Sequence, residues 1–167
     1  MKGSKFPEID FEKFILPPAD LKIVRRNGVL KVFDRLRKDY FCLTDEEFVR
    51  QVFVNWLIEE LEYPPSIMAN EIGITLNDTY KRCDTVVFTP EGQPLMIVEY
   101  KAPKVKLNQE VFNQIVRYNM VLKAQYLVVS NGYVNFCCKV DYNTHSITFI
   151  NRIPSYNELK NDGSGKI

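Results

Sequence analysis

The chain has 167 residues, 46% of them hydrophobic, with eleven Phe and nine Tyr; that suffices for one domain with a substantial core. No stretch approaches the apolar length of a membrane span, and residues 1–20 mix charges with prolines and lack the apolar centre of a secretion signal, so a soluble cytoplasmic protein is expected. A net charge of +1 does not advertise nucleic acid, and four cysteines without a CxxC pair beside one histidine, His145, exclude a zinc site of ordinary spacing.

Residues 1–18 read as a loosely attached arm ending at Pro17-Pro18, residues 19–159 as the folded domain with a core at about 44–131, and residues 160–167 as a flexible tail. Leu21–Arg26 and Val29–Arg35 flank Asn27-Gly28, a strong hairpin signal. Lys22, Arg25, Arg26, Lys31, Arg35, Arg37 and Lys38 crowd this segment, either as a solvated face or as phosphate contacts. Thr44 then reads as a helix N-cap with Glu47 at the capping-box position, and the helix runs to about Glu62 before Pro64-Pro65. Phe48, Val49, Val52, Phe53, Trp56 and Leu57 form its apolar stripe, which places Trp56 in the core.

Strands follow over Ser66–Leu76, Arg82–Phe88 and Pro94–Tyr100, joined by turns short enough to make neighbours antiparallel. Asn108–Leu122 is a helix with Val111, Ile115, Tyr118 and Leu122 on one face. Gln125–Ser130, Tyr133–Val140 and Ser146–Ile150 complete the sheet, with Cys137 and Cys138 on opposite faces, and Tyr156–Lys160 adds a short helical turn. The order α-β-β-β-α-β points to a mixed α/β sandwich.

The chemistry concentrates at the end of Pro94–Tyr100. Four consecutive apolar residues imply a strand buried on both faces, and Glu99 and Lys101, two apart, then project to one side. Burying charge is costly unless it is paired or binds something. Asp84, on the preceding strand, can approach Glu99 if the two strands are antiparallel. Two carboxylates that close repel unless a proton or cation lies between them. Mg2+ or Mn2+ suits hard oxygen ligands, with the Tyr100 carbonyl as a further donor and Lys101 orienting water or offsetting charge on a phosphate. A buried ion pair between Lys101 and one of the acids fits the same three residues.

An Asp, an apolar hairpin and Glu-x-Lys in an αβββαβ core resembles the PD-(D/E)xK nucleases. More closely, Phe33 to about Gly132 is similar to the nuclease domain at the N-terminus of type I restriction enzyme R subunits. The resemblance is carried by Arg37, the run Leu43–Gln51, Glu71, Asp84, Val98-Glu99-Tyr100-Lys101-Ala102-Pro103, Gln114, Tyr118-Asn119 and Ser130-Asn131-Gly132. It implies a restriction-endonuclease-like fold with a mixed central sheet flanked by helices, plus an N-terminal β-hairpin. Asp84 and Glu99 would hold the metal and Lys101 would serve the nucleophilic water. Glu47 would be an additional helix acid, although it already completes a sensible cap with Thr44. Gln114 would serve the catalytic site or, with Tyr118, meet bound DNA, while a structural buried glutamine remains open for Gln114. By charge, Lys104 and Lys106 form with Lys101 a second basic group, either a solvated face or contacts to the nucleic-acid phosphates. Restriction-modification or motor subunits are the implied partners, and an oligomer stays open. Cys83 stands where the pattern's name has proline. The sequence contains no phosphate loop, so the ATP-driven motor of R subunits is missing from it.

Overall fold

The computed structural model describes residues 5–161. The N-terminal β-strands are β1 (Ile23–Arg26), β2 (Val29–Asp34) and β3 (Asp39–Cys42), followed by helix α1 (Asp45–Glu59). After a 3-10 turn at Pro65–Ile67 come β4 (Met68–Leu76), β5 (Thr79–Phe88), β6 (Pro94–Tyr100), helix α2 (Gln109–Leu122), β7 (Tyr126–Ser130), β8 (Asn135–Asp141), β9 (Ser146–Ile150) and helix α3 (Tyr156–Asn161). The second sheet has the order β4-β5-β6-β7-β8-β9 and is antiparallel except for β6–β7, which α2 connects in parallel. It is the mixed α/β sandwich anticipated from the element order.

Alternation along the central strands splits the core. Met96, Val98 and Tyr100 of β6, Tyr126 and Val128 of β7, and Cys137 of β8 pack with Phe48, Val49, Val52, Phe53 and Leu57 of α1. Ile97, Leu127, Val129 and Cys138 face the other way, onto Ile115 and Tyr118 of α2. β6 and β7 are therefore apolar on both sides, and the one charged side chain of the two is where β6 runs out. That is the position of Glu99. Thr44 caps α1 by accepting the Glu47 N–H at 3.0 Å, and Asn108 caps α2 by accepting the Val111 N–H at 3.1 Å.

Several boundaries differ from those read in the sequence. The N-terminal hairpin is a three-stranded sheet, because Asp34 closes a turn by accepting the N–H groups of Leu36 and Arg37 and sends the chain back as β3. β5 begins at Thr79, since Asn77 and Asp78 both take positive φ (47° and 59°) and make a tight hairpin turn. α1 stops at Glu59, and Trp56 is only partly buried. The arm is not loose in its described part: Leu16 is buried, Phe14 packs on Phe48 and Tyr133, and the Ile15 N–H donates to the Gly132 carbonyl at 2.9 Å. Lys160 and Asn161 belong to α3, and the rest of the expected tail, 162–167, lies outside the described residues. No helix among the described residues is long and apolar enough to cross a membrane.

Candidate active site

Pairing of β5 with β6 runs from Phe88↔Pro94 to Thr85↔Val98. Asp84 lies one residue beyond the last pair, opposite Glu99. Here β5 is irregular: Cys83 and Val86, three residues apart, both belong to the α2-side core, which strict alternation forbids. Glu71, the neighbour of Asp84 on β4, carries φ of 59°, a costly conformation for a residue with a Cβ. The distortion frees the Asp84 carboxylate to accept the Tyr100 N–H at 2.8 Å through Oδ2. A side chain thus caps the end of β6 where the neighbouring backbone no longer does.

Glu99 projects toward α2. Its Oε1 accepts from Gln114 Nε2 at 2.6 Å and from Lys101 Nζ at 3.2 Å. Gln114 also receives Lys101 at 3.4 Å through Oε1 and donates to the Tyr118 hydroxyl at 3.0 Å. Glu99, Lys101, Gln114 and Tyr118 therefore form one hydrogen-bonded group. The tie is helical spacing: Gln114 and Tyr118, one turn apart, share the face of α2 that covers the sheet. Glu99 Oε2 is buried and has no hydrogen-bond partner among the described residues. Such an orphan in a charged setting asks for a proton or a cation.

The electrostatics say the same. Burial, then the negative charge of Asp84, pushes the Glu99 carboxyl up to about 8. Burial also raises Asp84, against the pull of the Arg50 guanidinium and the Tyr100 N–H. For Lys101, burial works against the charge and Glu99 outweighs it, so the pKa is raised and the ammonium persists. Lys101 is consequently a donor and a positive charge, not a free amine able to take a proton.

Two residues not singled out in the sequence complete the site. Arg50 of α1 is buried and joins Glu47 (3.1 Å), Glu71 (2.7 Å) and Asp84 (2.9 Å). Glu46, half-buried in the first turn of α1, has its carboxyl raised by burial and then by the charge of Asp84. Glu46 and Arg50 are four apart and flank the apolar stripe on the same side, which is the signal that could have found both. Glu47 is held by Arg37 (2.5 Å), Arg50 and Gln51 (2.9 Å) in an ion-pair network. Glu46, by contrast, feels the charges of Asp84 and Lys101 directly.

The support reaches into the N-terminal sheet. Asp34, fully buried, pairs with Arg37 and accepts from Asn70 at 2.8 Å; Asn70 accepts from Thr85 at 2.6 Å, and Thr85 accepts the Tyr100 hydroxyl at 3.0 Å. Lys104 and Lys106 are exposed on the loop after Lys101, and Lys104 is ion-paired with Glu8.

Among the described residues, no three His, Cys, Asp or Glu side chains come together as a ready metal cage. The donors nonetheless fit a hard divalent cation, which binds through one or two carboxylates and keeps its remaining positions for water and phosphate. Asp34, Glu46, Glu47, Glu71, Asp84 and Glu99 face Arg37, Arg50, Arg82 and Lys101, so the fully ionised cluster carries two surplus negative charges. The surplus centres on Asp84 and Glu99, where both pKa values are raised.

A mixed sheet that gathers Asp84, Glu99, Lys101 and a supporting Gln114 at one strand end defines a mixed α/β domain. Residues 45–154 match the family model for the type I restriction enzyme R protein N terminus, and the chain belongs to that family. Among solved structures, a fragment assigned to an HsdR subunit of a type I restriction enzyme from Vibrio vulnificus YJ016 is 20% identical, with a TM-score of 0.49. The match covers 68% of this chain and 24% of that one, so the chain spans about a quarter of that relative's length. No curated protein matches.

Proposed function

We propose that the domain is a metal-dependent endonuclease hydrolysing phosphodiester bonds of DNA. The observation that carries this is the pair of carboxylates on adjacent strands, partly buried Asp84 and buried Glu99, with Glu99 Oε2 unpartnered among the described residues and Lys101 hydrogen-bonded to Oε1. Asp84, Glu99 and the Tyr100 carbonyl would hold Mg2+ or Mn2+. When bound, the ion would neutralise charge on the scissile phosphate and supply an activated water.

The chain's own residues would do the rest. Lys101, kept protonated, orients the attacking water and offsets charge developing on the phosphate oxygens. Gln114 holds Lys101 and Glu99 in register by bonding to both, and Tyr118 fixes the Gln114 amide. Arg50 anchors Asp84 from the α1 side, and Glu46 adds a helix carboxylate to the site's field. Lys104 and Lys106, on the adjoining loop, would meet the DNA backbone, Lys104 exchanging its ion pair with Glu8 for a phosphate. The choice of DNA as substrate, and of other restriction-modification subunits as cytoplasmic partners, rests on membership of the family.

A second reading, a nucleic-acid-binding module that is silent without a partner, is favoured by one observation. Both Asp84 oxygens are already engaged, one by Arg50 and one by the Tyr100 N–H. Incubation of plasmid and single-stranded DNA with wild-type protein, Asp84→Ala and Lys101→Ala, each in Mg2+, Mn2+ or EDTA, separates the two. Metal-dependent cutting that disappears in both variants supports the nuclease. DNA retention in a gel shift with no cutting in any lane supports the binding module instead.

A further inference from the structure

The N-terminal sheet has two faces of different chemistry. Ile23, Leu30 and Val32 point into the α1-side core. Strand register then puts Lys22, Val24, Arg26, Lys31, Phe33 and Tyr40 on the opposite face, with Lys22 level with Phe33 through the Phe33 N–H to Lys22 carbonyl bond of 2.9 Å. None of the residues that the register puts on this face is a carboxylate, and Asp20, Glu59 and Glu60 border it only at the cavity lined by Lys22 and Phe33. Among the described residues none of the face's cations, Lys22, Arg26 and Lys31, forms an ion pair. Lys22 lies 5.7 Å from the Phe33 ring centroid and Arg26 lies 4.5 Å from that of Tyr40, while the two rings are 5.2 Å apart.

The sheet reaches the candidate active site through its other, core-directed face, where Arg37 stacks on Phe41. The β2–β3 turn carries Arg37, whose guanidinium meets Glu47 at 2.5 Å, and Glu47 is joined through Arg50 to Asp84.

We propose that the Lys22–Arg26–Lys31 face is a docking surface for the sugar-phosphate backbone of duplex DNA. The choice of DNA rests on the function proposed above; the cationic face stands independently of whether the site cleaves. Cations not held in ion pairs gain most from a polyanion, because each phosphate neutralised releases a condensed counterion. The rings are covered by cations, so they brace the charges and are not free platforms for stacking bases. A duplex also presents one charge per about 1.7 Å of axis, twice the density of one strand. Lys22 and Arg26, four residues apart on an extended strand, span roughly 13 Å and so face several phosphates at once.

The test is fluorescence anisotropy of a short labelled duplex and its single strand, with the full chain in EDTA so that no cleavage occurs, over a range of salt. The triple variant Lys22→Gln, Arg26→Gln, Lys31→Gln is compared with Lys123→Gln, Lys139→Gln, Lys160→Gln. That control removes equal charge, including residues beside the start of β7, the end of the sheet away from Glu99. The first variant should bind duplex about tenfold or more weakly, with a salt slope shallower by about 2–3, while the control stays close to wild type. Thermal midpoints of both variants establish that the fold is intact. Equal duplex affinity for the two variants, no duplex binding by wild type, or tighter binding of the single strand than of the duplex would overturn the proposal. Failure of the nuclease reading shows separately, as intact binding without metal-dependent cutting.

Discussion

Glu99 is the residue on which the site's energetics turn. Its carboxyl is held near 8 in the ion-free protein, against an ordinary value of 4.5, by burial and then by Asp84. Between those two values the folded state keeps a proton that the unfolded chain has released. The contribution of Glu99 to stability is therefore fully present below about 4.5 and is lost as pH rises toward 8. Glu99→Gln, which cannot ionise, should flatten this fall in thermal midpoint, and Mg2+ should reduce it in wild type only. Parallel pH profiles for the two proteins would contradict the assignment. Lys101 acts on a different quantity: Lys101→Ala should lower the cleavage rate by about 100-fold or more, as loss of a positioned donor to a developing oxyanion does, with little change in thermal midpoint.

The adjacent helix acids show where sequence reading reaches its limit. Thr44 and Glu47 were legible as a cap, and Asp84, Glu99, Lys101 and Gln114 stood out by type and spacing. Successive helical residues differ by about 100° in direction, so which of Glu46 and Glu47 turns to the sheet depends on how α1 sits. In the fold Glu47 is bound to two arginines and a glutamine, whereas Glu46 feels Asp84 and Lys101. Glu46→Gln should reduce cleavage at unchanged stability, and Glu47→Gln should lower the thermal midpoint first. The reverse pattern, read from both variants side by side, would return the helix-acid role to Glu47.

At the level of elements, α1 carries core and site on one helix. Phe53 is fully buried and packs edge-on against Tyr100, with ring centroids 5.5 Å apart. Phe53→Ala should cost about 3–5 kcal/mol in urea unfolding, since it leaves a cavity directly behind the backbone that donates to Asp84. A cost below about 1 kcal/mol would mean that the packing closes over the gap. The bounds of β6 and β9 were legible because apolar runs there end at turn residues and charges. β3 was not, because its turn is made by the Asp34 side chain within a run of cations that carries no glycine or proline. The irregularity at Asp84 and Glu71 was equally hidden, since strain of this kind depends on which strands diverge and not on local propensity.

For the whole molecule, the segment matching the family begins at residue 45, yet the site's supports begin earlier. Asp34 and Arg37 are wired to Asn70 and Glu47, and Leu16 and Val32 fill the α1-side core. A chain starting at Thr44 would leave Glu47 without Arg37 and uncover apolar side chains worth roughly 1.5–3 kcal/mol each. It should therefore melt well below the full chain.

Binding of Mn2+ measured by titration, with wild type, Asp84→Asn and Glu99→Gln side by side, addresses the paired carboxylates most directly. Wild type should take up about one ion per chain, and either variant should bind it at least about tenfold more weakly, as loss of one of two anionic ligands requires. Wild-type protein that binds no Mn2+, or variants that bind it as tightly as wild type, would contradict a metal site at Asp84 and Glu99.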